Sequence, residues 1–316
     1  MKYAARRIAM LLLTMVIVSF FAFAAFSMIS GDPATAMLGT TATPEKVAAL
    51  RAELGLDRPW PVRYVEWLAG FFTGDLGISY SYGTPVWELI APKVGLTLCL
   101  SLLSFMLIVA VSIPLGLRSA GRAGGRLEWL GTVMNQLGMA VPPFFTGILL
   151  TWVFSTMLHW FIHGQMPSLT QNFGGALRYL LFAAVALAVP RIAMTTRMLR
   201  STVRREMERD YVRTAISRGN DRSGVLHRHV LKNALVPVVT FLAQTMAEIV
   251  AGSIVVEQVF AIPGLGRMLV ASIGSRDYPV VQAIVVILAF WVVLANTVAD
   301  LVNQRIDPRL RLGGAK

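Results

Sequence analysis

Residues 208–237 read ERDYVRTAISRGNDRSGVLHRHVLKNALVP. The stretch is strongly basic and lies between two apolar runs, Ala176–Ile192 and Ala234–Val256, that are long enough to cross a bilayer. Within it, Asp210 to Ser217 can form a short helix with Tyr211, Val212, Ala215 and Ile216 on an apolar side. Gly219 is placed to end that helix and Asn220-Asp221 to turn, after which Val225–Leu235 resumes a helix leading into the membrane. Positive charge between two spans belongs on the cytoplasmic side. A short helix across the cytoplasmic end of a helical bundle suits docking of a soluble partner, and an ordinary solvated charged loop is the competing reading.

The wider composition agrees with a membrane setting. Of 316 residues, 55% are hydrophobic and only 15% charged, where soluble domains carry about a quarter charged. The net charge of +12 could suggest nucleic acid, but the basic residues collect between apolar blocks, as the positive-inside rule requires. No nucleic-acid partner is expected. A single cysteine, Cys99, excludes an intramolecular disulfide and a paired-cysteine zinc site.

Taken in order, the chain reads as an all-α polytopic membrane protein with six crossings and both termini cytoplasmic. Residues 1–30 hold a short basic start (Lys2, Arg6, Arg7) and the first crossing, a retained helix rather than a cleaved signal. Residues 31–94 form an outer helical insertion. There Thr43-Pro44-Glu45 opens an amphipathic helix that Gly55 stops, and Pro59–Phe72 forms another with Trp60, Tyr64, Trp67 and Leu68 on one face, suited to the headgroup level. Residues 95–304 hold the five remaining crossings. Of these, Leu96–Leu117 is followed by the basic Arg118, Arg122 and Arg126, and Trp129–Phe161 is expected to kink at Pro142-Pro143. The fourth crossing, Ala176–Ile192, is expected to continue as a helix into the cytoplasm through Met198, and the 199–233 loop is the strongest cytoplasmic signal, with Arg191 and Arg197 counted among the charges that follow the crossing. Glu257–Pro279 reads as an outer loop around Ile262-Pro263-Gly264-Leu265-Gly266, and 305–316 as a cytoplasmic tail.

Catalytic chemistry finds no support. H-E-x-x-H, G-x-S-x-G and the phosphate-loop pattern are missing, and Cys99 has no charged neighbour to activate it. His159 and His163 could face a metal if helical, but without a nearby acid they read as interfacial histidines, and no metal site is expected. Glu248, within TMAEIVAGS, is the one acid deep inside an expected crossing. It either lines a water-filled path, sharing a face with Gln244 one turn earlier, or bridges two helices as a hydrogen-bonded carboxyl. Asn296, Asp300 and Asn303 form a polar stripe that suits interfacial packing or partner contacts.

These residues resemble a known family. Residues 208–237 are similar to the cytoplasmic coupling loop of ABC-importer permeases, with Arg213-Thr214-Ala215 at its E-A-A positions, Gly219 at its glycine and Leu231 at its leucine; His229 and Lys232 depart from its isoleucine and proline. DYVRTA…G…RHVLKNALVP resembles the form found in the dipeptide, oligopeptide and nickel branch. LGLDRPWPVRYVEWL with GDLGISY, GSIVVEQVFAIPGLGRML, RDYPVVQA and DPRLR resemble further segments of that branch, in order and over nearly the whole chain.

The resemblance implies a type I ABC-importer permease of a bacterial or archaeal cytoplasmic (inner) membrane, non-catalytic and binding no cofactor itself. ATP and Mg would be used by one or two partner ABC ATPases. A second, homologous permease would complete a heterodimer, and an extracytoplasmic binding protein would deliver the cargo, di- or oligopeptides, or alternatively nickel or a metal chelate. The resemblance assigns ATPase coupling to Tyr211, Val212, Arg213, Thr214, Ala215, Arg218, Gly219 and Asp221. Glu257, Pro263, Gly264, Gly266, Asp277 and Pro279 would form its outer-loop motif. An ATP-independent secondary transporter is the rival class, but it would usually show internal repeats or charged half-helices, and neither is found.

Overall fold

The computed structural model describes residues 2–28, 32–121 and 126–306. Some of the expected topology therefore lies outside the described residues, namely the side chains of Lys2, Arg6, Arg7, Arg122, Arg126 and Asn303 and the whole of 307–316. The described chain is helical, and its one extended pairing is an isolated bridge between Ile78 and Pro85. The helices are α1 (Lys2–Met28), α2 (Pro33–Leu38), α3 (Pro44–Glu53), α4 (Trp60–Thr73), α5 (Val86–Gly121), α6 (Arg126–Ala140) and α7 (Pro143–Leu150). After these come α8 (Phe173–Met207), α9 (Asp210–Ser217), α10 (Arg222–Val225), α11 (Leu231–Val259), α12 (Leu265–Gly274) and α13 (Tyr278–Ile306).

Five helical stretches are long and apolar enough to span: Ala9–Phe26, Val86–Gly121, Phe173–Met207, Ser223–Val259 and Tyr278–Val302. Trp129–Ala140 and Pro143–Met157 add a sixth only when counted together as one broken span, and these are bent by 101°. The expected kink is therefore a break. Pro143 holds Pro142 extended (φ −65, ψ 148), and neither proline can donate to the preceding turn, so a new helix starts with Pro143 in its first turn.

The chain divides into two compact units. In the first, Met1–Leu98 with Pro263–Val293, Thr43 caps α3 by accepting the Lys46 N–H, and Gly55 adopts φ +65 just beyond it. No residue of α3 is fully buried, but Val47 and Leu50 are half-buried and the helix packs on α2. The aromatic face of α4 packs on α1 rather than standing free for headgroups. Trp60 and Tyr64 meet Phe20, Tyr64 and Trp67 meet Phe23, and the Tyr64 hydroxyl lies 3.0 Å from the Ser19 hydroxyl. Burying a tyrosine beside a membrane helix demands such a partner for its hydroxyl. Residues 265–274, expected as loop, form α12.

In the second unit, Cys99–Ile262 with Leu294–Lys316, α8 is the axis against which α6, α7 and α11 pack. Its alanines at 183, 184, 186 and 188 are fully buried, and small side chains let neighbouring helices approach closely. Gly116 of α5 faces Leu199 so closely that an added Cβ would sit 2.8 Å from the leucine Cδ2. The Tyr179 hydroxyl donates to the Phe260 carbonyl and accepts the Gly164 N–H at 3.1 Å, tying three segments together.

Candidate functional site

The loop that opened the sequence reading folds as a helix, a left-handed stop and a second helix. Arg209 is extended (ψ 150) and starts α9, which runs Asp210–Ser217. Gly219 takes φ +85, its N–H reaching the Ile216 carbonyl at 2.9 Å, and the Asn220 side chain donates to the Ala215 carbonyl at 2.9 Å. Only glycine enters this backbone region without steric cost, so the helix stops here. Asp221 then accepts the Gly224 N–H at 3.0 Å and starts α10. A π turn at Leu226–Val230 joins α10 to α11.

The apolar side expected of α9 is divided between two directions. Val212 is buried (1% exposed) and Ala215 half-buried, both packed into the core of the second unit. Tyr211 and Ile216 are exposed, as are Arg213, Thr214, Ser217 and Arg218. At about 100° per residue, Tyr211, Ala215, Val212 and Ile216 occupy one arc of about 140°, and only its middle, Ala215 and Val212, meets the core. Val212 and Ala215 therefore anchor α9 to the chain, and its other face is presented outward. Tyr211 donates its hydroxyl hydrogen to the Glu206 carboxylate at 2.9 Å and receives the Asn233 amide at 3.4 Å, linking the end of α8, α9 and the start of α11. Burial pushes the Tyr211 phenol above its usual range, with the Glu206 carboxylate adding to the rise, so it stays a donor at neutral pH.

In the first unit, two segments far apart in sequence close on one carboxylate. Asp277 is fully buried, and it accepts hydrogen bonds from the Ser79 hydroxyl, the Tyr80 N–H (3.0 Å) and the Ser81 N–H (3.2 Å). GDLGISY and RDYP are thereby one structure, with Gly77 at φ +83 against the Pro279 ring. Desolvation pushes the Tyr80 phenol up in the same place. Gly264 is the extended residue before α12, Gly266 is buried in its first turn, and the Leu265 N–H donates to Thr97 Oγ1 at 2.9 Å. Glu257 belongs to α11 rather than to a loop and is fully buried.

Gln244 and Glu248 are both exposed on α11, one turn apart. Sequence reasoning missed the partner of Glu248, which is Arg191. Arg191 lies on α8, which runs unbroken from Phe173 to Met207, through Pro190. His159 and His163 are not on a helix, His159 standing at φ +53. Among the described residues no cluster of His, Cys, Asp or Glu is arranged to hold a metal.

Comparison with known proteins decides the family. Residues 112–312 match the binding-protein-dependent transport system inner membrane component, and residues 1–101 match its N-terminal counterpart. This chain belongs to that family. It is similar to the "Probable peptide ABC transporter permease protein y4tP" of Sinorhizobium fredii, at 35% identity over 98% of this chain and 99% of the relative. The oligopeptide transport system permease protein AppB of Bacillus subtilis is 36% identical over 98% of each chain. The dipeptide transport system permease protein DppB of Escherichia coli is 32% identical over 98% of this chain and 99% of the relative. Family and spans together make the chain a multi-pass inner-membrane transport subunit.

Proposed function

We propose that this chain is the permease subunit of an ATP-driven importer and forms half of the translocation pathway for di- or oligopeptides. The observation that carries the reading is similarity along the whole chain to permeases named for peptide, oligopeptide and dipeptide transport. The geometry of α9 supports a mechanism. Val212 and Ala215 fix the helix to the chain, while Tyr211, Arg213, Thr214 and Arg218 face outward toward a groove on a partner ATPase. Gly219 and Asp221 shape the return into α10 and α11.

ATP and Mg are used by one or two ABC ATPase subunits, and this chain performs no catalysis and holds no cofactor. Closure of the ATPases carries α9 as a rigid body, and the 35-residue α8 directly before it passes the displacement into the membrane. A second, homologous permease supplies the other half of the path. Both termini lie in the cytoplasm, and residues 31–94, 95–304 and 305–316 are the outer insertion, the permease core and the cytoplasmic tail. An extracytoplasmic binding protein docks on the outer side, where Pro263, Gly264, Gly266, Asp277 and Pro279 shape the loops, and Gln244 with Glu248 line the path. Co-purification of the chain with a nucleotide-binding subunit, followed by mass spectrometry of the ligand on the binding protein, tests the assignment. A peptide is expected, and nickel or a metal chelate would overturn the cargo class.

A further inference from the structure

One charged pair in the second unit lies deep within two membrane helices. Tyr179 of α8 is bonded to the carbonyl of Phe260, the residue that closes α11, so the two positions share one level. Arg191 is twelve residues along α8 from Tyr179, and Glu248 is twelve residues along α11 from Phe260. At the rise of an α-helix both lie about 18 Å along their helices from that level, within Phe173–Met207 and Ser223–Val259, the stretches long and apolar enough to span. The guanidinium and carboxylate meet there as an ion pair.

Charged side chains at this depth face protein or water, because lipid offers them no partners. Yet 51% of the Glu248 side chain and 27% of the Arg191 side chain are left uncovered by this chain. Gln244 and Ala251, one turn away on either side of Glu248, are also exposed, so the uncovered strip of α11 carries an amide, a carboxylate and a small residue. Such a strip suits the wall of an aqueous path.

We infer that Arg191 and Glu248 form an exchangeable charge pair that receives the two termini of a zwitterionic peptide, the carboxylate on Arg191 and the ammonium on Glu248. The inference rests on the peptide-importer reading above. When the path is empty each charge satisfies the other. Opening the pair for a singly charged ligand strands one charge in the membrane, which is strongly unfavourable. A zwitterion supplies both opposite charges at once and strands neither. The planar guanidinium also matches a carboxylate through two parallel hydrogen bonds. No covalent step is involved, since the exchange trades one set of ion pairs for another.

The test uses the complete complex of both permeases, ATPases and binding protein in liposomes, with Gln244→Cys in a Cys99→Ala background. A charged, membrane-impermeant methanethiosulfonate reagent is expected to label residue 244, and absence of labelling overturns the inference. Tri-alanine is expected to slow labelling about tenfold or more, as loss of a charged hydrogen bond would predict, whereas uncharged N-acetyl-tri-alanine amide leaves it unchanged. Glu248→Gln should abolish that protection. Equal protection by the two peptides, or protection that survives Glu248→Gln, refutes the charge exchange. If Glu248→Gln does not assemble, the double exchange of Arg191→Glu with Glu248→Arg takes its place; there tri-alanine is expected still to protect, because the swapped pair offers both charges, and loss of protection, or loss of assembly there too, overturns the inference. Failure of the wild-type complex to take up tri-alanine refutes the peptide cargo itself. Intact uptake with any contrary labelling result refutes the charge pair alone.

Discussion

Substitution of Gly219 separates backbone geometry from surface shape in α9, the helix we propose docks on the ATPase. The glycine stands at φ +85, and a Cβ built there meets nothing within 4 Å, so the chain itself imposes no clash. The cost of a side chain is therefore conformational, about 1–2 kcal/mol for an ordinary residue in the left-handed region, with asparagine largely spared. A β-branched residue is worse still. The anchor opposing that strain is small. Val212 is the one fully buried side chain of α9, and burying a valine contributes about 1.5–3 kcal/mol at most. Strain and anchor are of similar size, so Gly219→Val shifts the loop away from its docking geometry by roughly 5–30-fold. Gly219→Asn, although its side chain is larger, should stay near wild type. The assay is peptide uptake per ATP hydrolysed in liposomes holding the complete complex. Gly219→Val is expected to hydrolyse ATP with little uptake, while chain abundance in the membrane is unchanged. If Asn proves as harmful as Val, the position is limited by space against the partner, and the backbone argument fails.

Three further outcomes follow from the packing. Asp277→Ala removes the acceptor of the Ser79 hydroxyl and two backbone N–H groups, at about 1–3 kcal/mol for each donor left unpaired; limited proteolysis should cut residues 75–85 faster in this variant, and wild-type cleavage rates would refute the clamp. Gly116→Ala should cost about 1–3 kcal/mol of stability through overpacking against Leu199, seen as a lowered thermal midpoint, whereas Gly121→Ala, whose Cβ meets nothing within 4 Å, should not. The raised pKa of Tyr80 means that its neutral form is favoured in the folded chain. Its contribution is complete below the ordinary tyrosine value of about 10 and is lost as pH rises through the folded value. Thermal stability should therefore be flat through neutrality and fall in alkali, and the fall should diminish in Tyr80→Phe.

The sequence carried the spans and the short helix α9 because both depend on local signals. Apolar runs of bilayer length, Thr43 before Pro44, and Gly219 after an eight-residue helix each act within a few residues. What it did not carry depends on distance along the chain or on register. Asp277 and Ser79 are 198 positions apart, and although both belong to recognisable segments, no local rule joins them. Arg191 was counted with the basic residues that follow the fourth crossing, and its pairing with Glu248 depends on how α8 and α11 register against each other, which no local pattern reports. The split face of α9 was also hidden, since Val212 and Ala215 differ from Tyr211 and Ile216 only in which of them meets the core.

The central claim is that this chain moves peptide only as part of an ATP-driven assembly coupled through α9. The most direct measurement compares uptake of labelled tri-alanine into liposomes carrying the complete complex with ATP inside, the same complex without ATP, and this chain alone. Uptake is predicted only in the first case, and it should collapse when Gly219→Val is introduced. Equal uptake by the chain alone, or without ATP, would contradict the account and return the protein to the class of secondary transporters.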